Sequence, residues 1–130
     1  MRAFFGQALA GEPLTVAGDG SQTRSICFVT DTVAGILALA AAEEAGPVNI
    51  GSPHELSMLH LAELVRDLVG SASPITFVPL PQDDPRMRRP DTSRAERLLG
   101  WRPVVAPDEG LKRTLEWFQR EIGGPGQVTA

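Results

Sequence analysis

Apolar residues recur along this chain at spacings that switch between helical and strand-like. Phe4, Phe5, Ala8 and Leu9 share one helical face and stop before Gly11 and Pro13, which predicts a helix over 1–10. Leu14 to Ala17 reads as a short strand, Gly18-Asp19-Gly20-Ser21 supplies turn chemistry, and a second strand is predicted over 24–29. Thr30 and Asp31 are N-cap residue types ahead of an Ala-rich run carrying Ile36, Leu37 and Leu39. That run predicts a helix of about fourteen residues ending at Gly46. Its nearly unbroken apolarity predicts burial on several sides. Pro47-Val48-Asn49-Ile50, closed by Gly51-Ser52-Pro53, reads as a short buried strand.

Beyond it, Ser57 can cap a helix whose stripe of Met58, Leu61, Ala62, Leu64, Val65, Leu68 and Val69 runs to Gly70. Residues 75–78 form another apolar strand pattern. Residues 79–90 have no periodicity, four prolines and many charges, and read as a loop. Asp91, Thr92 or Ser93 caps a short helix through Leu98 and Leu99 to Gly100, and a last helix is predicted over 107–121, with Asp108 and Glu109 suiting its positive end. The pattern specifies an α/β fold: one small mixed domain of short strands and about five helices over 1–122, with a Gly-rich tail over 123–130 expected to be disordered.

Composition narrows the chemistry. The chain has 130 residues, 42% of them hydrophobic, enough for one modest core. A net charge of −4 argues against a nucleic-acid or anionic-membrane surface, and no apolar stretch approaches the length of a membrane span. No leader pattern opens the chain. Cys27 stands alone within an apolar run and is expected to pack as a small core residue, in keeping with a reducing, cytoplasmic setting. The chain contains no Tyr, and its one Lys is Lys112, so chemistry resting on a Tyr and Lys pair is excluded within these residues.

Two segments can carry binding chemistry. In 15–24, a strand runs into a glycine turn and emerges at Arg24. Glycines let backbone N–H groups approach an anion, and a guanidinium can clamp it with paired donors. A plain hairpin turn with a surface arginine fits the same residues. In 82–90, Arg86, Arg88 and Arg89 crowd an otherwise acidic chain and suit diphosphate or carboxylate recognition. The alternative is a solvated loop in which Asp83 and Asp84 pair with those arginines. His54 and His60 lack further ligands at metal-site spacing, so no metal site is expected.

Taken as an ordered series over about residues 3–121, these segments resemble the C-terminal part of the NAD-dependent epimerase/dehydratase family, of extended short-chain dehydrogenase type, and most closely the UDP-glucuronate decarboxylases. The resemblance is carried by Gly11-Glu12-Pro13-Leu14-Thr15-Val16, Gly18-Asp19-Gly20-Ser21-Gln22-Thr23-Arg24, Val48-Asn49-Ile50-Gly51, Gln82-Asp83-Asp84-Pro85, Arg88-Arg89-Pro90-Asp91 and Leu98-Leu99-Gly100-Trp101. It implies the nucleotide-sugar-binding portion of the family fold without its Rossmann core. Thr15, Val16, Gly18, Gln22, Arg24, Gln82, Asp84 and Arg88 would then contact a UDP-sugar, with Arg24 near the diphosphate and Arg88 as the proton donor after loss of carbon dioxide. Ala17 departs from the Tyr common there.

NAD serves the complete family enzyme, and no cofactor-binding residue is expected in this chain, which has neither the Gly-rich cofactor turn nor the Tyr-x-x-x-Lys motif. The expectation is therefore a UDP-glucuronate-binding portion of an enzyme that makes UDP-xylose, inactive by itself. Its partner would be a missing cofactor domain or a second copy meeting exposed apolar surface. A stand-alone sugar-nucleotide-binding or regulatory module, or a piece of a dTDP-glucose 4,6-dehydratase or UDP-sugar 4-epimerase, is the alternative.

Overall fold

The computed structural model describes residues 1–121. Its elements in chain order are α1 (Arg2–Ala10), β1 (Leu14–Ala17), β2 (Thr23–Ser25), α2 (Val29–Ala41), β3 (Glu55–Ser57), α3 (Met58–Val69), β4 (Ile75–Val78), β5 (Met87–Arg88), α4 (Ser93–Leu99) and α5 (Pro107–Glu121). The expected mixed α/β fold with five helices is observed. α1, α3 and α4 end at Gly11, Gly70 and Gly100, as the pattern predicts. Ser57 caps α3 by accepting a bond from the His60 amide at 3.2 Å. The predicted tail lies outside the described residues.

Strands pair in two small sheets. β1 and β4 are parallel, with Leu14 opposite Ile75 and Ala17 opposite Val78. β2 lies between β3, antiparallel, and β5, parallel. Alternation along β1 turns Leu14 and Val16 inward, where they meet Phe4, Phe5 and Ala8 of α1, Leu61, Ala62 and Val65 of α3, and Leu111, Leu115 and Phe118 of α5. Phe5 and Phe118 stack with ring centroids 5.2 Å apart, closing the core across its two outer helices. Among the described residues, no helix is long and apolar enough to cross a membrane.

Several expectations are corrected. The second strand covers only Thr23–Ser25, since beyond Ser25 the chain leaves the ladder to reach α2, whose N-cap is Phe28. Thr30 and Asp31 are inside α2 and do not cap it. The helix also stops at Ala41, before Glu43 and Glu44, whose carboxylates would meet the negative end of the helix dipole. Residues 47–50 join no ladder, because no described strand lies beside them. Cys27 is half-buried and does not belong to the core cluster.

The largest departure concerns α2. Within it only Asp31 and Gly35 are buried, whereas Val33, Ile36 and Leu37 are exposed. One side of α2 rests on Ile50 and Trp101, and no described element covers the other. Finally, the predicted loop over 79–90 holds β5, a two-residue strand that needs its pairing with β2 to exist.

Candidate functional site

The turn between β1 and β2 is built on a glycine that no other residue could replace. Gly20 has φ +75°, and a Cβ there would fall 2.7 Å from Leu59 Cβ and 2.9 Å from Val16 Cγ1. The turn therefore sits directly on the start of α3. The Leu59 amide donates to Gly20 O at 3.1 Å and the Met58 amide to Gln22 O at 3.0 Å, so the first amides of α3 are committed to the turn.

Three of the turn's own amides are committed too. Gly18 N donates to Val78 O at 2.8 Å and Gly20 N to Ala17 O at 3.2 Å. Ser21 donates to Asp19 Oδ1 through its amide at 2.9 Å and its hydroxyl at 2.6 Å. The Ser21 hydroxyl, then its amide, hold the Asp19 carboxyl below its ordinary range, helped by the charge of Arg86. The amides of Gly18, Gly20 and Ser21 are thus occupied, and the nearby guanidinium groups offer an anion further donors. The turn also leads into a strand and not into a helix N-terminus, so it does not fit the pyrophosphate of a dinucleotide cofactor.

A cleft of about 300 Å³ opens beside the turn, lined by Gly18, Asp19, Ser21, Gln22, Leu80 and Arg86. Of the residues singled out from sequence, Gly18, Gln22 and Arg86 line it. Gln22 is buried and donates from Nε2 to Ala17 O at 2.8 Å, bracing the turn from within. Val16 is wholly buried in the core, so its side chain is unavailable to a ligand; strand alternation turns it inward. Thr15 faces outward, but Gln7 holds both its hydroxyl, at 3.0 Å, and its amide, at 3.2 Å. Gln82 is exposed on the 79–90 segment.

Residues 79–90 return to β2 and bring the second candidate segment against the first. Arg24 and Asp84 form an ion pair at 2.6 Å, so Asp84 answers Arg24 and none of the neighbouring arginines. Arg24 and Arg88 are register partners in the parallel β2–β5 pair, which sends their side chains from the same face. Arg89 points toward Glu55, with Nη1 3.6 Å from its carboxylate, and Glu55 also accepts from the Thr23 hydroxyl at 2.6 Å. Among the described residues, neither Arg86 nor Arg88 has a side-chain hydrogen bond or an ion pair. One face therefore carries two guanidinium groups and one carboxylate, an excess of positive charge suited to a phosphate or carboxylate.

Sequence reasoning missed Leu80 and Glu55. Glu55 carries no local signal, since it meets Thr23 across 32 positions. Asp19 and Ser21 as cleft residues were within reach, because Asp-x-Ser at a turn is the pattern of a side chain bonding the backbone two residues on.

Residues 1–51 match the NAD dependent epimerase/dehydratase family. UDP-glucuronic acid decarboxylase 1 of Danio rerio is 50% identical over 119 residues, which is 92% of this chain and 28% of that protein. Among solved structures, the UDP-glucose 4-epimerase of Thermotoga maritima, with UDP-glucose, is similar with a TM-score of 0.87 and 29% identity, over 92% of this chain and 38% of that one. The UDP-glucuronic acid 4-epimerase of Bacillus cereus, in complex with UDP-glucuronic acid and NAD, gives 0.84 and 27%, over 91% of this chain and 40% of that one. The chain thus spans 28% of the length of the curated relative from Danio rerio.

Proposed function

We propose that this chain, whose residues 1–51 match the NAD dependent epimerase/dehydratase family, belongs to that family and that its β1–β2 turn and 79–90 segment form the UDP-sugar-binding face of a UDP-glucuronate decarboxylase, an enzyme that makes UDP-xylose. The observation that carries the reading is the register of Arg24 with Arg88, two guanidinium groups on one face answered by a single carboxylate. The decarboxylase is preferred to an epimerase because identity is 50% to the decarboxylase and 29% to the UDP-glucose 4-epimerase.

In this reading Arg88 meets the substrate. Loss of carbon dioxide leaves an electron pair on the sugar carbon, which takes up a proton, and Arg88 is the donor the resemblance assigns. NAD would supply, in the complete enzyme, the hydride exchange that makes the carboxylate labile. The chain itself is expected to bind without decarboxylating, because it contains no Tyr to act as the family's acid and base. The uncovered side of α2, with Val33, Ile36 and Leu37 exposed, suits cover by the cofactor-binding portion of such an enzyme.

Thermal unfolding with added nucleotide sugars tests this. UDP-glucuronate in hundredfold excess over its Kd is expected to raise Tm by about 5 °C or more, and Arg88→Ala to remove most of that gain. A larger gain with dTDP-glucose would turn the reading toward a dehydratase. No gain with any nucleotide sugar at millimolar concentration would overturn it.

A further inference from the structure

Of the arginines at 86, 88 and 89, Arg88 opposes Arg24 and Arg89 faces Glu55, which leaves Arg86 without a partner in the site described so far. The direction of its side chain follows from its neighbours. Thr23 and Met87 are register partners, Thr23 donates its hydroxyl to Glu55, and Arg89 approaches the same carboxylate. Thr23, Met87 and Arg89 therefore share one face of the β2–β5 pair, and Arg24 and Arg88 occupy the other. Arg86 precedes Arg88 by two positions, and alternation along extended chain sends it to the Arg24 side.

The cleft beside the turn agrees with this placement. Arg86 lines it together with Gln22, which lies two positions before Arg24. The cleft thus continues the guanidinium face toward the β1–β2 turn. A rise of about 3.3 Å per residue puts Arg86 roughly 7 Å along from Arg88, close enough for one ligand to meet both.

The backbone of Arg86 is fixed while its guanidinium is free. Its carbonyl accepts from the Thr23 amide at 2.8 Å, whereas its side chain is exposed and, among the described residues, makes neither a hydrogen bond nor an ion pair. Asp19 is the carboxylate that lines the same cleft, and the Ser21 amide and hydroxyl hold its Oδ1 on the turn. Attraction between two exposed charges that do not touch is weak. A guanidinium in contact with a phosphate makes paired, charge-assisted bonds, so a phosphate outcompetes Asp19 for Arg86.

We propose that Arg86 is a third ligand-binding arginine, which joins Arg24 and Arg88 on the bound nucleotide sugar and contacts a phosphate of its diphosphate from the turn end of the face. This role rests on the UDP-sugar reading above and adds a residue to it.

Binding of UDP is measured by calorimetry, with inorganic pyrophosphate titrated as its competitor, in the unsubstituted chain, Arg86→Gln, Arg86→Lys and Arg89→Gln. Arg89→Gln removes the same charge from the same segment on the opposite face, and so reads the long-range field alone. The Kd for UDP is expected to weaken about tenfold in Arg86→Gln and about threefold in Arg86→Lys, which keeps the charge without the paired donors, and to stay within about twofold in Arg89→Gln. Pyrophosphate is expected to displace UDP from the unsubstituted chain at millimolar concentration, and its inhibition constant to weaken in Arg86→Gln by the same factor as the Kd for UDP. Because the Arg86 side chain is exposed and unpaired, Tm of Arg86→Gln without ligand should stay within about 2 °C, which separates a lost contact from a lost fold.

Unchanged UDP binding in Arg86→Gln, equal losses in Arg86→Gln and Arg89→Gln, or no competition by pyrophosphate would overturn the third arginine and leave the UDP-sugar reading in place. A loss for UDP without a matching loss for pyrophosphate would assign Arg86 to the nucleoside and overturn the phosphate contact. An unsubstituted chain that binds no UDP would overturn both.

Discussion

Asp31 stands in the first turn of α2, where a carboxylate ordinarily serves its own helix. Here its Oδ2 instead accepts from the amides of Val104 at 3.0 Å and Val105 at 2.8 Å, while its carbonyl accepts the Trp101 indole N–H at 3.0 Å. Asp31 is 5% exposed, so removing the carboxylate leaves two amides without an acceptor. Asp31→Ala is expected to cost about 2–4 kcal/mol in urea unfolding, and Asp31→Asn, which keeps an acceptor oxygen, distinctly less. Equal stability of Asp31→Ala and the unsubstituted chain would remove this role. The sequence marks Asp31 as a polar residue beside an apolar run and suggests a cap. Its actual partners are more than 70 positions away, and no local pattern encodes such a distance. Arg24 and Asp84 show the same limit: each was legible as a site residue, but their bond to each other was not.

At the scale of elements, Gly35 pits two effects against each other. Helix propensity alone favours Gly35→Ala by about 1 kcal/mol. A Cβ on Gly35 would lie 2.5 Å from Ile50 Cγ2 and 2.8 Å from Trp101 Cε2, where α2 presses on the segments after it. Overpacking of this kind costs about 1–3 kcal/mol, so the substitution is expected to lower stability by about 1–2 kcal/mol despite the better helix former. A rise in Tm would show that Ile50 and Trp101 yield. The elements that sequence located well, α1, α3, α4 and α5, carry their own stops, caps or stripes. Residues 47–50 carry only apolarity, and whether such a run becomes a strand depends on a neighbour to pair with. α2 misled for a related reason: apolarity on every side indicates what a helix could bury, and only surrounding elements determine what it does bury.

Over the whole molecule, apolar residues divide into a closed core among α1, β1, α3 and α5 and an open face on α2. Ile36 and Leu37 are 54% and 64% exposed, and contiguous apolar surface of this kind promotes association. Sedimentation of the chain is expected to show self-association that grows with concentration. The pair Ile36→Glu and Leu37→Glu should abolish it while shifting Tm by no more than about 2 °C, since neither side chain is buried. Association unaffected by the pair would place the sticky surface elsewhere. The closed core has a different consequence, one of timing. Phe5 stacks on Phe118, near the opposite end of the described chain. At about 5–20 residues per second of synthesis, roughly ten seconds separate the addition of these two rings. For that interval the nascent chain carries the Phe4 and Phe5 face of α1 without the lid that α5 provides, which makes the unfinished chain a natural client for cotranslational chaperones.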